Sequence, residues 1–159
     1  MTKARAAATG DQVLQDVAGW RPDVLLAGCV RQVLVVGMIA PMVLIGSIVV
    51  HLCRHPDLQQ QLRNAPALMP AAIEEFLRLY TPYRGFARTA VGDVEIRGRT
   101  IPANEPIALV YASANRDESV FPDGSEFRLN RPNISEHLAF GRGPHQCAQL
   151  VVCHSTHSS

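Results

Sequence analysis

The chain has 159 residues, 47% of them apolar and 18% charged, with 15 Lys and Arg against 14 Asp and Glu, a formal charge of +1. That length suits about one ordinary domain, and the apolar content argues against intrinsic disorder. A near-neutral balance without a Lys/Arg block offers no electrostatic footprint for nucleic acid or an anionic membrane surface.

Residues 1–20 form a polar, Ala-rich segment, and Trp20-Arg21-Pro22-Asp23 reads as a helix start with Pro at an early helical position. Val33 to Val50 then runs for 18 residues without a charge, which reaches the lower limit for a membrane-spanning helix. Gly37, Pro41 and Gly46 inside it, and the polar continuation HLCRH up to His55-Pro56, favour instead a helix buried on all sides by protein. The segment holds 13 large apolar residues. Leaving half of them wet would forfeit on the order of 10–20 kcal/mol, against a net stability of about 5–15 kcal/mol. The roughly 100 residues downstream look too few to cover such a helix, so the sequence reads as part of a larger domain.

Pro56-Asp57 opens a short amphipathic helix to about Asn64, and Met69-Pro70 opens a second, AAIEEFLRLY, which Pro82 stops. Residues 84–111 alternate apolar and polar, with Gly98 and Pro102-Ala103-Asn104 as turn punctuation, and predict short antiparallel strands. Residues 114–137 show no period and predict an irregular packed meander. The fold class expected is mainly α with a small antiparallel β region.

Two constellations could carry chemistry. Glu75 and Arg78 lie at i and i+3 on the second short helix, close enough for a charge-assisted pair, to which Arg128 or Arg131 of the meander could add a guanidinium. An exposed pair of this kind would contribute under about 1 kcal/mol. The second is Phe140-Gly141-Arg142-Gly143-Pro144-His145-Gln146-Cys147, where two glycines permit positive φ and the Cys stands just before a possible helix, AQLVV. Helix N-terminal amides stabilise a thiolate, and a thiolate suits a soft or electron-rich metal. Read alone, the same string also fits an unreactive Cys in a Gly turn.

The string AFGRGPHQC resembles the cysteine-ligand loop of the cytochromes P450: Phe, two variable residues, Gly, one variable, Arg or His, one variable, Cys. Other ordered similarities are Glu75 and Arg78 as the family's Glu-x-x-Arg pair, Arg88, Gly98 with IPAN, Ala114-Asn115-Arg116-Asp117, Phe121-Pro122-Asp123, Arg131 and HLAFG. The resemblance implies a partial P450 fold lacking the N-terminal helices and the last helix, with residues 21–149 as the C-terminal half of a heme-thiolate domain and residues 150–159 as an aberrant tail. It implies heme iron held by Cys147, with Phe140, Gly143, His145 and Arg88 against the cofactor and Arg88 and His145 at its propionates. Glu75, Arg78 and Arg131 would form a structural lock. The long helix would cross the far side of the macrocycle, and a ferredoxin or flavoprotein would donate electrons in the intact protein.

Departures from the family pattern shape the expectation. Aligning Gly37 with the oxygen-helix motif puts Ile39 where the family has an acid and Ala40 where it has an alcohol, so the proton-relay pair is absent. Pro41 follows and is expected to open the helix there. Gln149 stands where the family has Gly, and LVVCHSTHSS does not continue as its last helix. The sequence is thus expected to be a truncated or frameshifted remnant, without monooxygenase activity on its own.

Cys29, Cys53, Cys147 and Cys153 follow no disulfide-framework spacing, and the opening MTKARAAATGDQ lacks an apolar leader core, so a reducing, cytoplasmic setting without membrane contact is expected. Two other readings stay open. His145, Cys147, Cys153, His154 and His157 could form a zinc-binding tail, although their spacing fits no paired-ligand finger. The chain could also be a non-enzymatic interaction fragment that uses its apolar helix.

Overall fold

A computed structural model describes residues 24–143 and 146–147. The chain divides into two compact units, one of them Met42–Gly141, the other taking in residues before Met42 and after Gly141. Three helices come first: α1 (Val24–Arg54), α2 (Pro56–Asn64) and α3 (Met69–Tyr80), with a single 3-10 turn at Pro66–Leu68 before α3. Four short strands follow, β1 (Phe86–Thr89), β2 (Val94–Ile96), β3 (Arg99–Ile101) and β4 (Pro106–Leu109), then a one-turn helix α4 (Tyr111–Ala114). From Asn115 to Gly141 the backbone is irregular apart from a 3-10 turn at Ile134–Glu136.

Proline sets both short helices. Each has Pro in its first turn, where the missing N–H costs nothing because no intrahelical acceptor exists for it. Along α3, Ala72, Phe76 and Leu79 are buried, and Ala72 and Phe76 join Leu62 of α2 in the core. Leu44, Ile48 and Leu52, spaced one turn apart on α1, pack on that core together with Phe127 and Leu129. His51 takes part as well. Its Nδ1 is 2.7 Å from the Tyr80 hydroxyl, and its ring lies edge-on to Phe76 at 5.4 Å. Burial, with neighbouring His55 adding to it, keeps His51 below the usual histidine range.

The strands nest. β2 pairs antiparallel with β3 (Val94 opposite Ile101), and this hairpin is inserted between β1 and β4, which pair antiparallel from Phe86–Leu109 to Thr89–Pro106. The inner turn has Arg97 at φ 49° and Gly98 at φ 75°, the two positive values that a tight right-twisted hairpin requires. Beyond Asp123, Gly124 lies directly on the backbone of Arg116: a Cβ there would come within 2.4 Å of the Arg116 carbonyl oxygen.

The long helix departs from expectation at Pro41. It remains helical there, because the ring removes only one hydrogen bond of a helix 31 residues long. As the shortage of covering residues downstream implies, the described residues leave it largely uncovered: Val33, Leu34, Met38, Met42 and Ile45 all stand exposed, and none of its most apolar window is buried. Only the Leu44–Ile48–Leu52 face is packed among the described residues. Ala27–Arg54 is by length and composition a helix able to cross a membrane, but that face is already occupied by protein.

Gly124→Ala is expected to lower stability by about 1–3 kcal/mol, because the rigid Arg116 backbone cannot yield. Gly92→Ala, with open space around it, is expected to lie within about 0.5 kcal/mol of the parent. Urea midpoints at equal slope check both.

Candidate functional site

The polar centre of the Met42–Gly141 unit is the carboxylate of Glu75, which is completely buried, as is the Arg78 guanidinium. Being three residues apart on α3 brings them side by side in a two-pronged pair, Arg78 Nε to Oε2 and Nη2 to Oε1, each 2.8 Å. Oε1 also accepts Arg131 Nε at 2.8 Å and the Arg128 backbone N–H at 2.9 Å. One acid thus faces two buried cations. The surplus positive charge is met by carbonyl dipoles of the meander: Arg78 donates to Asn115 O, Gly124 O and Glu126 O, and Arg131 to Pro122 O, Asp123 O and Glu126 O. All five Arg78 donors are used. Its guanidinium also lies 5.4 Å from the centre of the Phe121 ring. Among the described residues no buried side-chain nitrogen or oxygen lacks a partner.

Burial by itself would raise the Glu75 carboxyl. The hydrogen bonds from Arg78, Arg131 and the Arg128 backbone, with the Arg78 charge, outweigh it and hold the group below the usual glutamate range. Arg128, the alternative sequence candidate for the third group, contributes its backbone N–H instead, while its exposed side chain pairs with Asp123. Thr81 was not singled out in the sequence, and Asn115 only as part of the string Ala114-Asn115-Arg116-Asp117. The buried Asn115 amide donates to Thr81 Oγ1 at 2.8 Å and accepts the Leu138 N–H at 2.6 Å. Only tertiary placement brings these three together.

The cysteine loop starts from this support. Gly141 N–H closes a turn on Leu138 O at 3.0 Å, and Gln146 N–H closes another on Gly143 O at 3.0 Å. Gly141 sits at φ 70° and Gly143 at φ 84°, conformations that residues with a side chain adopt at a cost of about 1 kcal/mol or more. A Cβ on Gly143 would meet nothing within 4 Å, so the backbone at that residue is open. Phe140 is half-buried, its ring 6.0 Å from that of His137, and Cys147 carries a free, half-buried thiol. Pro144, His145, Gln149 and the residues 150–159 lie outside the described residues, and with them all of the zinc-tail donors except Cys147.

The remaining candidates lie apart from the ion cluster. Arg88 is exposed on β1 opposite Ile107, donating to the neighbouring Ala87 O at 2.9 Å. Gly37 is exposed on α1 and Ala40 half-exposed, and an added Cβ at Gly37 would meet nothing.

Among the described residues no group of three or more His, Cys, Asp or Glu converges, and Cys147 is a free thiol. A thiolate beside glycine backbone fits a macrocyclic iron group, whose equatorial positions are already filled.

The sequence pattern of the family described as Cytochrome P450 matches residues 43–148, two thirds of the chain, a span that contains Glu75, Arg78, Arg131 and Cys147. The chain belongs to the cytochrome P450 family. Members of this family bind heme iron, and the partial P450 fold, mainly helical with a small antiparallel region, is shared with solved structures. The ligand-free structure of cytochrome P450 TbtJ1 matches 88% of this chain and 38% of its own at a TM-score of 0.79 and 37% identity. Cytochrome P450 CREJ in complex with (4-ethylphenyl) dihydrogen phosphate matches 86% and 34% at a TM-score of 0.78 and 36% identity. Among curated relatives, Cytochrome P450-terp of a Pseudomonas species is 42% identical over 103 residues, 64% of this chain and 24% of the relative. The 20-oxo-5-O-mycaminosyltylactone 23-monooxygenase of Streptomyces fradiae is 42% identical over 96 residues, 60% of this chain and 23% of the relative. The chain spans about a quarter of the length of these P450 relatives.

Because the folded Glu75 carboxyl holds its proton less tightly than the unfolded one, its contribution is complete above the ordinary value of 4.5 and is lost as the pH falls through the lower folded value. Acid titration followed by circular dichroism is expected to show cooperative unfolding below about pH 4.5. In Glu75→Gln, less stable at neutral pH, the dependence of stability on pH from 6 to 3 is expected to be shallower; an unchanged slope would assign the acid sensitivity to other carboxylates.

Proposed function

We propose that this chain supplies the thiolate-bearing part of a heme-thiolate monooxygenase, with Cys147 as the residue that would hold the iron. The observation that carries the reading is the loop Phe140–Cys147, whose Gly141 and Gly143 sit at positive φ and whose cysteine is a free thiol that joins no group of three or more metal-binding side chains among the described residues. When bound, the heme would supply dioxygen activation for inserting one oxygen atom into an organic substrate.

The chain's own residues would divide the work. Cys147 would hold the iron as a thiolate, Phe140 and Gly143 would lie against the macrocycle, and Arg88 and His145 would meet its carboxylates as guanidinium and imidazole. Glu75, Arg78 and Arg131 would lock the support and touch neither substrate nor cofactor. On α1, the stretch Gly37–Pro41 offers neither carboxylate nor hydroxyl, and the nearest hydroxyl downstream, Ser47, gives its hydrogen to Val43 O at 2.9 Å. This part of the chain would therefore supply no proton itself, leaving that task to water or to groups of the substrate.

Electrons would come from a ferredoxin or flavoprotein, in the cytoplasm, and the domain would comprise residues 21–149 together with further P450 sequence that covers α1. The exposed apolar surface of α1 supports a second reading, an interaction fragment without turnover.

Purified chain supplied with hemin, reduced and exposed to carbon monoxide is expected to show the red-shifted Soret band of thiolate-ligated heme, and Cys147→Ala is expected to abolish it. A spectrum typical of nitrogen ligation in the parent, or a band that survives Cys147→Ala, would overturn the assignment and leave the interaction reading.

A further inference from the structure

Two imidazoles stand one helical turn apart where α1 hands over to α2. His55 N–H closes the last turn of α1 on His51 O at 3.1 Å, and His55 O receives the Gln59 N–H of α2 at 3.1 Å. A spacing of four residues puts both rings on one face. They lie 4.3 Å apart, centre to centre, with 27° between their planes. Both line one cavity of about 470 Å³, together with Tyr80, Arg116, Glu126 and Phe127. All of these residues belong to the Met42–Gly141 unit.

The two rings differ in how firmly they are held. His51 is buried, its ring centre 5.4 Å from that of Phe76 and 5.1 Å from that of Phe127, and its Nδ1 is engaged with the Tyr80 hydroxyl at 2.7 Å. That bond leaves Nε2 as the nitrogen for a further partner. A metal-binding imidazole typically has its other nitrogen held in this way, because the outer hydrogen bond sets the tautomer and the direction of the ring. Burial and neighbouring His55 keep His51 below the usual histidine range, which favours the neutral form that coordinates metals. His55 is exposed, so an ion can reach the pair from solvent. Zinc–nitrogen bonds of about 2.0–2.1 Å allow one ion to span two rings this close. Among the described residues no third His, Cys, Asp or Glu converges with them, so water would complete the coordination. The cavity wall carries opposite charges in Arg116 and Glu126, which offset one another as seen by an entering cation.

We propose that His51 and His55 form a two-imidazole site for a divalent transition-metal ion such as zinc, with Tyr80 as the positioning residue of His51. An ion held there clips the last turn of α1 to the first residue of α2. The site uses neither Cys147 nor the Glu75 cluster and is independent of the heme reading.

The full chain is titrated with zinc chloride while the histidine rings are followed by proton–nitrogen correlation NMR. His51 and His55 are expected to shift along one saturation curve, while His137, whose Nε2 lies 2.8 Å from the Glu74 carboxylate, stays in place. His55→Gln, a change at an exposed position, is expected to weaken the zinc response of His51 by about tenfold or more, because a chelate becomes a single ligand. Tyr80→Phe is expected to weaken it by about tenfold with both imidazoles still present. A His51 ring that does not respond to zinc, or that follows the same curve in His55→Gln, would overturn the proposal.

Discussion

Glu75 is the constraint on which the rest of the Met42–Gly141 unit depends. An ionised carboxylate without solvent is tolerable only with dedicated donors, and it receives four, three from guanidinium groups and one from the Arg128 backbone. The guanidinium groups then carry a second task. Segment 115–131 has no strand or helix to satisfy its carbonyls, and the remaining Arg78 and Arg131 donors bind those of Asn115, Pro122, Asp123, Gly124 and Glu126. The meander is folded around two buried cations much as a loop folds around a metal ion. A buried ion pair is a weak source of net stability, but breaking one leaves an uncompensated charge, which makes this arrangement selective for one conformation.

The placement of α3 links this polar centre to the apolar one. One face of the helix carries Ala72 and Phe76 into the core with Leu62 and the last turns of α1, while Glu75 and Arg78 point into the meander. At its C-terminal end Thr81, at the unusual φ of 24°, turns its hydroxyl back to Arg78 O and receives the Asn115 amide. Helix, meander and the first residues of the cysteine loop are therefore referenced to the same few atoms. By contrast α1 contributes one packed face and leaves the remainder uncovered, which matches a chain that spans about a quarter of its relatives.

The parts legible in the sequence were those encoded locally. Proline at Pro56 and Pro70 with apolar spacing marked α2 and α3, alternation and Gly98 marked the hairpin, and three-residue spacing put Glu75 beside Arg78. Arg131 could be named only as one of two meander candidates, since 56 residues separate it from its acid. The Arg128 backbone N–H left no local signal because every amide looks alike until the chain is folded, and Asn115 and His137, although each stands in a string similar to the family's, gave no sign of their partners. The exposure of α1 follows from arithmetic already legible in the sequence: an all-apolar helix calls for a covering on every side, and the residues downstream of it are too few to provide one.

The claim that one carboxylate organises two guanidiniums is tested most directly by a double-mutant cycle on Glu75→Gln and Arg131→Met, read as unfolding free energies at neutral pH. The account predicts that each single change costs about 3–5 kcal/mol, and that the double variant costs at least about 1 kcal/mol less than their sum, because the second change removes a charge that the first left unpaired. Small costs that add to within about 0.5 kcal/mol would contradict it, and would reduce the cluster to a set of independent contacts.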